Sequence, residues 1–200
     1  MKLEAKNITF GYKKSKTILN DVNLTITESE RVALSAPSGF GKTTFCRILA
    51  GYEKPWSGQI LLDGKPLPKK GYSPVQMIWQ HPERAVDPAI RIGDTLAQCP
   101  DLDPAVIKGL GIEKDWYQRF PGELSGGEIQ RFCIAAALGK ETRFLIADEI
   151  STMLDLITQS QIWHFLLSET KKRRIGMAFV SHSSDLTTRI ATKIIALEKE

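Results

Sequence analysis

One stretch restricts the fold of this chain more than any other: "RVALSAPSGFGKTTFCRILAG", residues 31–51. It opens with a short apolar run (31–36) of the kind that forms a fully buried strand. A glycine-bearing loop follows at once, and then "TTFCRILAG" (43–51), a helical segment that Gly51 stops. A buried strand feeding straight into a helix belongs in a parallel sheet covered by helices. The rest of the chain agrees. "RFLIAD" (143–148) is a buried strand, "LITQSQIWHFLLSETKKR" (156–173) a helix with basic residues in its last turn, and "GMAFVSH" (176–182) and "KIIALEKE" (193–200) further strands, with a short helix between those two. Ahead of the loop, residues 3–10 and 21–27 read as strands; the second alternates cleanly, with Val22, Leu24 and Ile26 on one face. "SGQILLDGKPL" (57–67) reads as a strand with an Asp-Gly turn and "VQMIWQ" (75–80) as another strand. Residues 81–123 are rich in Pro and Gly and predict a small helical insertion with long loops. "LSGGEIQRFCIAAALG" (124–139) predicts a helix ending at Gly139.

The loop "SAPSGFGKTT" (35–44) has the chemistry of a phosphate cradle. Gly39 and Gly41 let the backbone curl so that N–H groups face phosphate oxygens, Lys42 reaches the outer phosphates, and the Thr43 hydroxyl suits Mg²⁺. The helix N-terminus points at the anion. Ala36 stands where the usual pattern has glycine, which matters only if that position needs a positive φ. Phe40 contributes a backbone N–H, and its ring can point away from the phosphates.

"RFLIADE" ends an apolar run with Asp148 and Glu149, at the strand end where open α/β sheets place ligands. Asp148 can hold Mg²⁺ through water, which leaves Glu149 to orient and deprotonate a water. In "LSGGEIQR" (124–131), Ser125 and Glu128 have the spacing of a capping box. A capping box alone does not need Gly126 and Gly127, which weaken a helix. With the serine hydroxyl, their exposed N–H groups make a second anion site.

Composition excludes other classes. The net charge of +4, from 27 basic against 23 acidic residues, is too small to argue for nucleic acid, and the basic runs are scattered. Three cysteines form no CxxC pair, which fits reduced thiols in a cytosolic compartment. "MKLEAKNITF" has no signal-peptide core, and no apolar run reaches the roughly 18 residues of a membrane span. Work at a membrane therefore has to go through a partner.

Taken in order, these segments resemble the ATP-binding cassette (ABC) ATPases over nearly the whole chain. "APSGFGKTT" is similar to the Walker A loop, Gln80 to the Q-loop glutamine, "LSGGE" to the signature, "FLIADE" to Walker B and "ISTMLD" (150–155) to the D-loop, with Asp155 as its aspartate. His182 matches the switch histidine and Tyr12 the aromatic residue that stacks on adenine. The resemblance implies a P-loop NTPase of the α/β class: a RecA-like core with an N-terminal antiparallel β lobe and a small helical lobe, at about 81–139, inserted in one domain spanning 1–200. It implies ATP and Mg²⁺ as cofactors. ATP would lie on Tyr12, Ser38, Gly39, Phe40, Gly41, Lys42, Thr43 and Thr44, and on Ser125, Gly126, Gly127 and Glu128 of a second chain. Mg²⁺ would lie on Thr43, Gln80 and Asp148, with Glu149 and His182 catalytic.

The implied partners are a second ATPase, identical or paralogous, set head to tail, together with transmembrane permease subunits and, indirectly, a solute-binding protein, but no nucleic acid. The implied place is the cytoplasmic face of the cell membrane. "WQHPERAVDPAIRIGD" (79–94) and "DEISTMLDLITQSQIW" (148–163) are similar to the branch that drives oligopeptide, dipeptide and nickel importers. Members of that branch usually continue further beyond the histidine, so the solute stays open. A soluble ABC ATPase of DNA repair or translation is the alternative, though such proteins tend to carry long coiled-coil or linker insertions, which this sequence lacks. A nucleotide-binding regulator without turnover fits poorly with Lys42, Asp148, Glu149 and His182 all present.

Overall fold

The structure is a computed structural model that describes residues 1–13, 15–37, 39–97, 99, 101–151 and 154–197. Two sheets organise it. In the first, β1 (Lys2–Phe10), β2 (Leu19–Thr27), β4 (Ser57–Leu62) and β5 (Lys65–Pro66) run in the order β2-β1-β4-β5. All its pairings are antiparallel, and Leu3 faces both Ile26 and Leu62. Alternation sets the buried face: Val22, Leu24 and Ile26 point inward from β2, as their spacing predicts. The Asp-Gly turn closes the β4–β5 hairpin with Asp63 and Gly64 both at positive φ, the geometry such a two-residue turn requires.

The second sheet is entirely parallel. Strands β3 (Arg31–Ser35), β6 (Val75–Ile78), β7 (Phe144–Asp148), β8 (Gly176–Val180) and β9 (Lys193–Ala196) lie in the order β6-β7-β8-β3-β9. The strands β7 and β8 are buried at every residue, which explains their unbroken apolar runs. Their side chains alternate between two cores. Phe144, Ile146, Ala178 and Val180 pack with α1 (Lys42–Leu49) and the antiparallel sheet. Leu145, Ala147, Met177 and Phe179 pack with the other helices. Residues 198–200, the end of the last strand expected from sequence, lie outside the described residues.

Between β6 and β7 the chain forms two short helices, α2 (Ile92–Ala97) and α3 (Pro104–Gly109), three 3-10 turns, and then α4 (Gly126–Ala137). The helix α4 stops two residues before Gly139, and Gly139 does not take a positive φ. Packing explains this glycine instead: a Cβ there would stand 2.6 Å from the Tyr72 hydroxyl and 2.9 Å from Cys99 Sγ. The Tyr72 hydroxyl donates to the Ala136 carbonyl and accepts from the Gly139 N–H, tying off the end of α4. Helix α5 (Leu156–Arg173) matches its sequence boundaries, and α6 (Ser184–Ile190) is the short helix expected before β9.

Candidate active site

Four adjacent strands of the parallel sheet deliver the site. Gln80 follows β6, Asp148 ends β7 with Glu149 just after it, His182 follows β8, and the glycine loop follows β3. Parallel strands put all these ends on one edge, where helix N-termini and loops meet. Since β7 lies between β6 and β8, Glu149 lies between Gln80 and His182. Gln80 Nε2 donates to Glu149 Oε2 at 2.8 Å, and His182 Nε2 lies 2.8 Å from Glu149 Oε1. Glu149 is also a non-glycine residue at φ 48°, with its N–H donating to the Val180 carbonyl. A left-handed carboxylate residue held by its neighbours is the kind of local strain that active sites retain.

In the glycine loop, Gly39 has φ 75° and Gly41 has φ 104° as N-cap of α1. Gly41 is doubly constrained, because a Cβ would also meet Ile18 Cγ2 at 2.4 Å. Ala36 does not take a positive φ, so an alanine costs the loop nothing in backbone strain. Phe40 is buried in the core under the loop and its N–H donates to the Pro37 carbonyl, so its ring anchors the loop from below. Lys42 Nζ donates to the carbonyls of Ala36 at 2.8 Å and Pro37 at 3.2 Å, which holds the ammonium over the loop. Lys42, Ala36 and His182 line one cleft of about 320 Å³. Ser38 lies outside the described residues.

Asp148 is 1% exposed. Burial pushes its carboxyl above the ordinary Asp value; the Thr43 hydroxyl bonded to it, and the Arg47 and Lys42 charges, pull the other way, while Glu149 adds to the rise. Its Oδ1 is buried without a hydrogen-bond partner. That orphaned oxygen, with the Thr43 hydroxyl and the Gln80 amide oxygen, would supply only oxygen donors, which suit a hard cation such as Mg²⁺. Among the described residues no three His, Cys, Asp or Glu side chains cluster to hold an ion. Mg²⁺ shared with phosphates needs only one or two protein oxygens, so the set fits.

Tyr12 is 58% exposed; its ring stands edge-on to Phe10 at 5.2 Å, and its hydroxyl lies 3.1 Å from Thr44 Oγ1 in the first turn of α1. An exposed aromatic face is thereby fixed beside the loop. Ser125 and Glu128 form the capping box in full: the Glu128 N–H donates to Ser125 Oγ, and the Ser125 N–H donates to Glu128 Oε2 at 2.6 Å. Ser125, Gly126, Gly127 and Glu128 line a different cleft from Lys42, together with Asp155. Asp155 caps α5, its Oδ1 accepting from the N–H groups of Ile157 and Thr158 at 3.0 Å each. Thr152 and Met153, within the expected D-loop, lie outside the described residues. The three cysteines are buried and free.

Arg47 is the residue the sequence reading passed over. It stands one turn beyond Thr43 on α1, and its charge bears on Asp148. The signal was its helical spacing from Thr43, masked because a basic residue in a last turn already suits the helix dipole.

Comparison with known proteins agrees with this geometry. A family model described as ABC transporter matches residues 19–152. The nickel import ATP-binding protein NikE of Rhodospirillum rubrum is 35% identical, over 94% of this chain and 75% of its own length. The nickel import system ATP-binding protein NikE of Staphylococcus aureus is 31% identical, over 98% of this chain and 86% of its own. The ATP-binding cassette MJ0796, solved as a dimer in a post-hydrolysis state bound to ADP and phosphate, superposes with a TM-score of 0.80 at 24% identity, over 98% of this chain and 94% of its own. The chain belongs to the ABC transporter family, as an ATP-binding ATPase domain with the P-loop NTPase fold.

Proposed function

We propose that this ATPase powers a membrane importer for nickel or other metal complexes or for short peptides, working at the cytoplasmic face through permease subunits. The names of the 35% and 31% identical relatives support the import reading. Among the described residues no helix is long and apolar enough to cross a membrane, so attachment rests on a partner. We read residues 1–200 as one domain, with the segment at about 81–139 as its helical lobe.

The observation that carries the mechanism is Glu149 held at 2.8 Å on both sides, by Gln80 and His182, beside Lys42 and Asp148. Glu149 takes a proton from the attacking water. His182 contacts the outer phosphate, and Gln80 would be among the residues that hold the metal. Lys42 and the N–H groups of Gly39, Gly41, Lys42 and Thr43 hold the phosphates, and Tyr12 packs on the adenine. Mg²⁺ bound by Thr43, Asp148 and Gln80 would neutralise charge on the transferring phosphoryl group. Ser125 and Gly126 to Glu128 line a separate cleft from Lys42, which supports a site closed by the signature helix of a second chain in head-to-tail arrangement.

Glu149→Gln keeps shape and loses basicity. With ATP and Mg²⁺ it is expected to accumulate as a dimer, alone or with a paralogous ATPase, and Ser125→Arg in that background is expected to abolish the dimer. Size-exclusion chromatography with and without ATP checks both. Parental turnover in Glu149→Gln removes it as the base; ATP binding without dimerisation, with every candidate partner added, removes the shared site.

A further inference from the structure

Gln80 is the next residue after Trp79, and Trp79 is gripped from two directions. From α1, the Arg47 guanidinium lies over its ring, 5.4 Å from the centroid. Just past α1, Tyr52 stands edge-on to the same ring at 4.9 Å. From α4, Gln130 Nε2 donates to the Trp79 carbonyl at 3.4 Å, and Gln130 is 2% exposed. Arg47 Nε and Gln130 Oε1 are buried with no hydrogen-bond partner of their own. A cation held against an indole face is attracted by the ring quadrupole, and more strongly where water is excluded.

The two gripping helices are the ones that begin at the two glycine-bearing starts: α1 at Lys42 and α4 at Gly126. One residue thus joins both helices, α1 through its ring and α4 through its backbone carbonyl, to the residue whose amide holds Glu149.

We propose that Trp79 is a positioning residue that couples α1 and α4 to the Gln80–Glu149 contact. When either helix shifts, the ring and carbonyl of Trp79 move with it, and Gln80 releases or engages Glu149. This rests on the reading of Glu149 as the base.

The test uses the full chain, with whatever partner subunits it needs for turnover. Trp79→Leu keeps an apolar side chain and removes the π face; Trp79→Phe restores a π face. The first readout needs no nucleotide: the side-chain amide signal of Gln80 in ¹⁵N-glutamine-labelled protein, assigned by its loss in Gln80→Ala. That signal is expected to move to the position of a solvated glutamine in Trp79→Leu and to return in Trp79→Phe. Turnover is expected to fall roughly 10–100-fold in kcat, the scale of a misplaced catalytic group, with KM for ATP changed less than about twofold. In a Gln80→Ala background, Trp79→Leu is expected to add nothing further. If Trp79→Leu does not fold, Tyr52→Leu with rescue by Tyr52→Phe loosens the same ring from just past α1 and makes the test there.

An unmoved Gln80 signal overturns the proposal, as does an equal kcat loss with and without Gln80. Glu149→Gln run alongside separates the two failures. If it is inactive while Trp79→Leu keeps parental kcat, only the role of Trp79 falls. If it is fully active, the reading of the base falls, and this inference with it.

Discussion

At the start of α1, Gly41 stands at φ 104° and a Cβ there would sit 2.4 Å from Ile18; at the start of α4, a Cβ on Gly126 would meet nothing within 4 Å. Neither Gly126 nor Gly127 takes a positive φ, and the N-terminus of α4 is already served by the reciprocal Ser125–Glu128 bonds. The glycine at the loop is therefore demanded by its own chain, through backbone conformation and packing. The glycines at the signature are not. Backbone conformation and packing leave them unexplained, which is what the proposed head-to-tail partner would account for.

The largest test of this contrast is Lys42→Ala. Removing the ammonium that spans the loop is expected to cut kcat/KM by about 100-fold or more, the scale for losing a preorganised charge-stabilising group. Steady-state ATPase assays check it, and turnover at the parental rate would show that the loop is not where phosphate sits.

The contrast itself is sharpened by substituting the same residue at both starts. Gly41→Ala is expected to cost about 1–3 kcal/mol of stability from its left-handed φ, before the Ile18 contact is counted. Gly126→Ala is expected to leave the free chain within about 0.5 kcal/mol of the parent, yet weaken the ATP-dependent dimer of the Glu149→Gln background. Denaturant melts of both variants, set beside the dimer assay, decide it. Equal destabilisation at the two sites would erase the distinction.

Asp148 probes the loop end through pH. Burial raises its carboxyl above the ordinary Asp value of 3.8, so the folded chain holds that proton more tightly than the unfolded one. The resulting stability is fully present below the ordinary value and is lost as pH rises through the raised one. Asp148→Asn keeps an acceptor for Thr43 but has no charge to bury. Without nucleotide, the Tm of the variant is expected to gain on that of the parent as pH rises from the ordinary Asp value through the raised one. A difference that does not change with pH contradicts the burial account. Ala36→Gly is the smallest expected effect: Ala36 needs no positive φ, so nucleotide affinity is expected to rise by less than about tenfold, or 1.4 kcal/mol.

Much of the fold was readable because it repeats local rules. Alternation placed Val22, Leu24 and Ile26 inward, unbroken apolar runs marked β7 and β8 as central strands, and α5 ran between the residues its pattern predicted. Gly139 does mark the end of α4 to within two residues, but its reason was not legible locally. A glycine after a helical run is a stop signal in one dimension, whereas this one makes room for Tyr72, which is 67 residues away in sequence.

Sequence alone determined which groups could do chemistry here. Lysine and threonine after a glycine loop, a carboxylate pair ending a strand, and a serine before two glycines have few other uses when they occur together in this order. Tertiary structure decided how they meet. Strand order put Glu149 between Gln80 and His182, and the fold laid Arg47 and Gln130 on Trp79. Spacing along a chain encodes only neighbours within a strand or a helical turn. Which strand lies beside which follows from how the apolar faces of the whole sheet are covered, and that has no local signature.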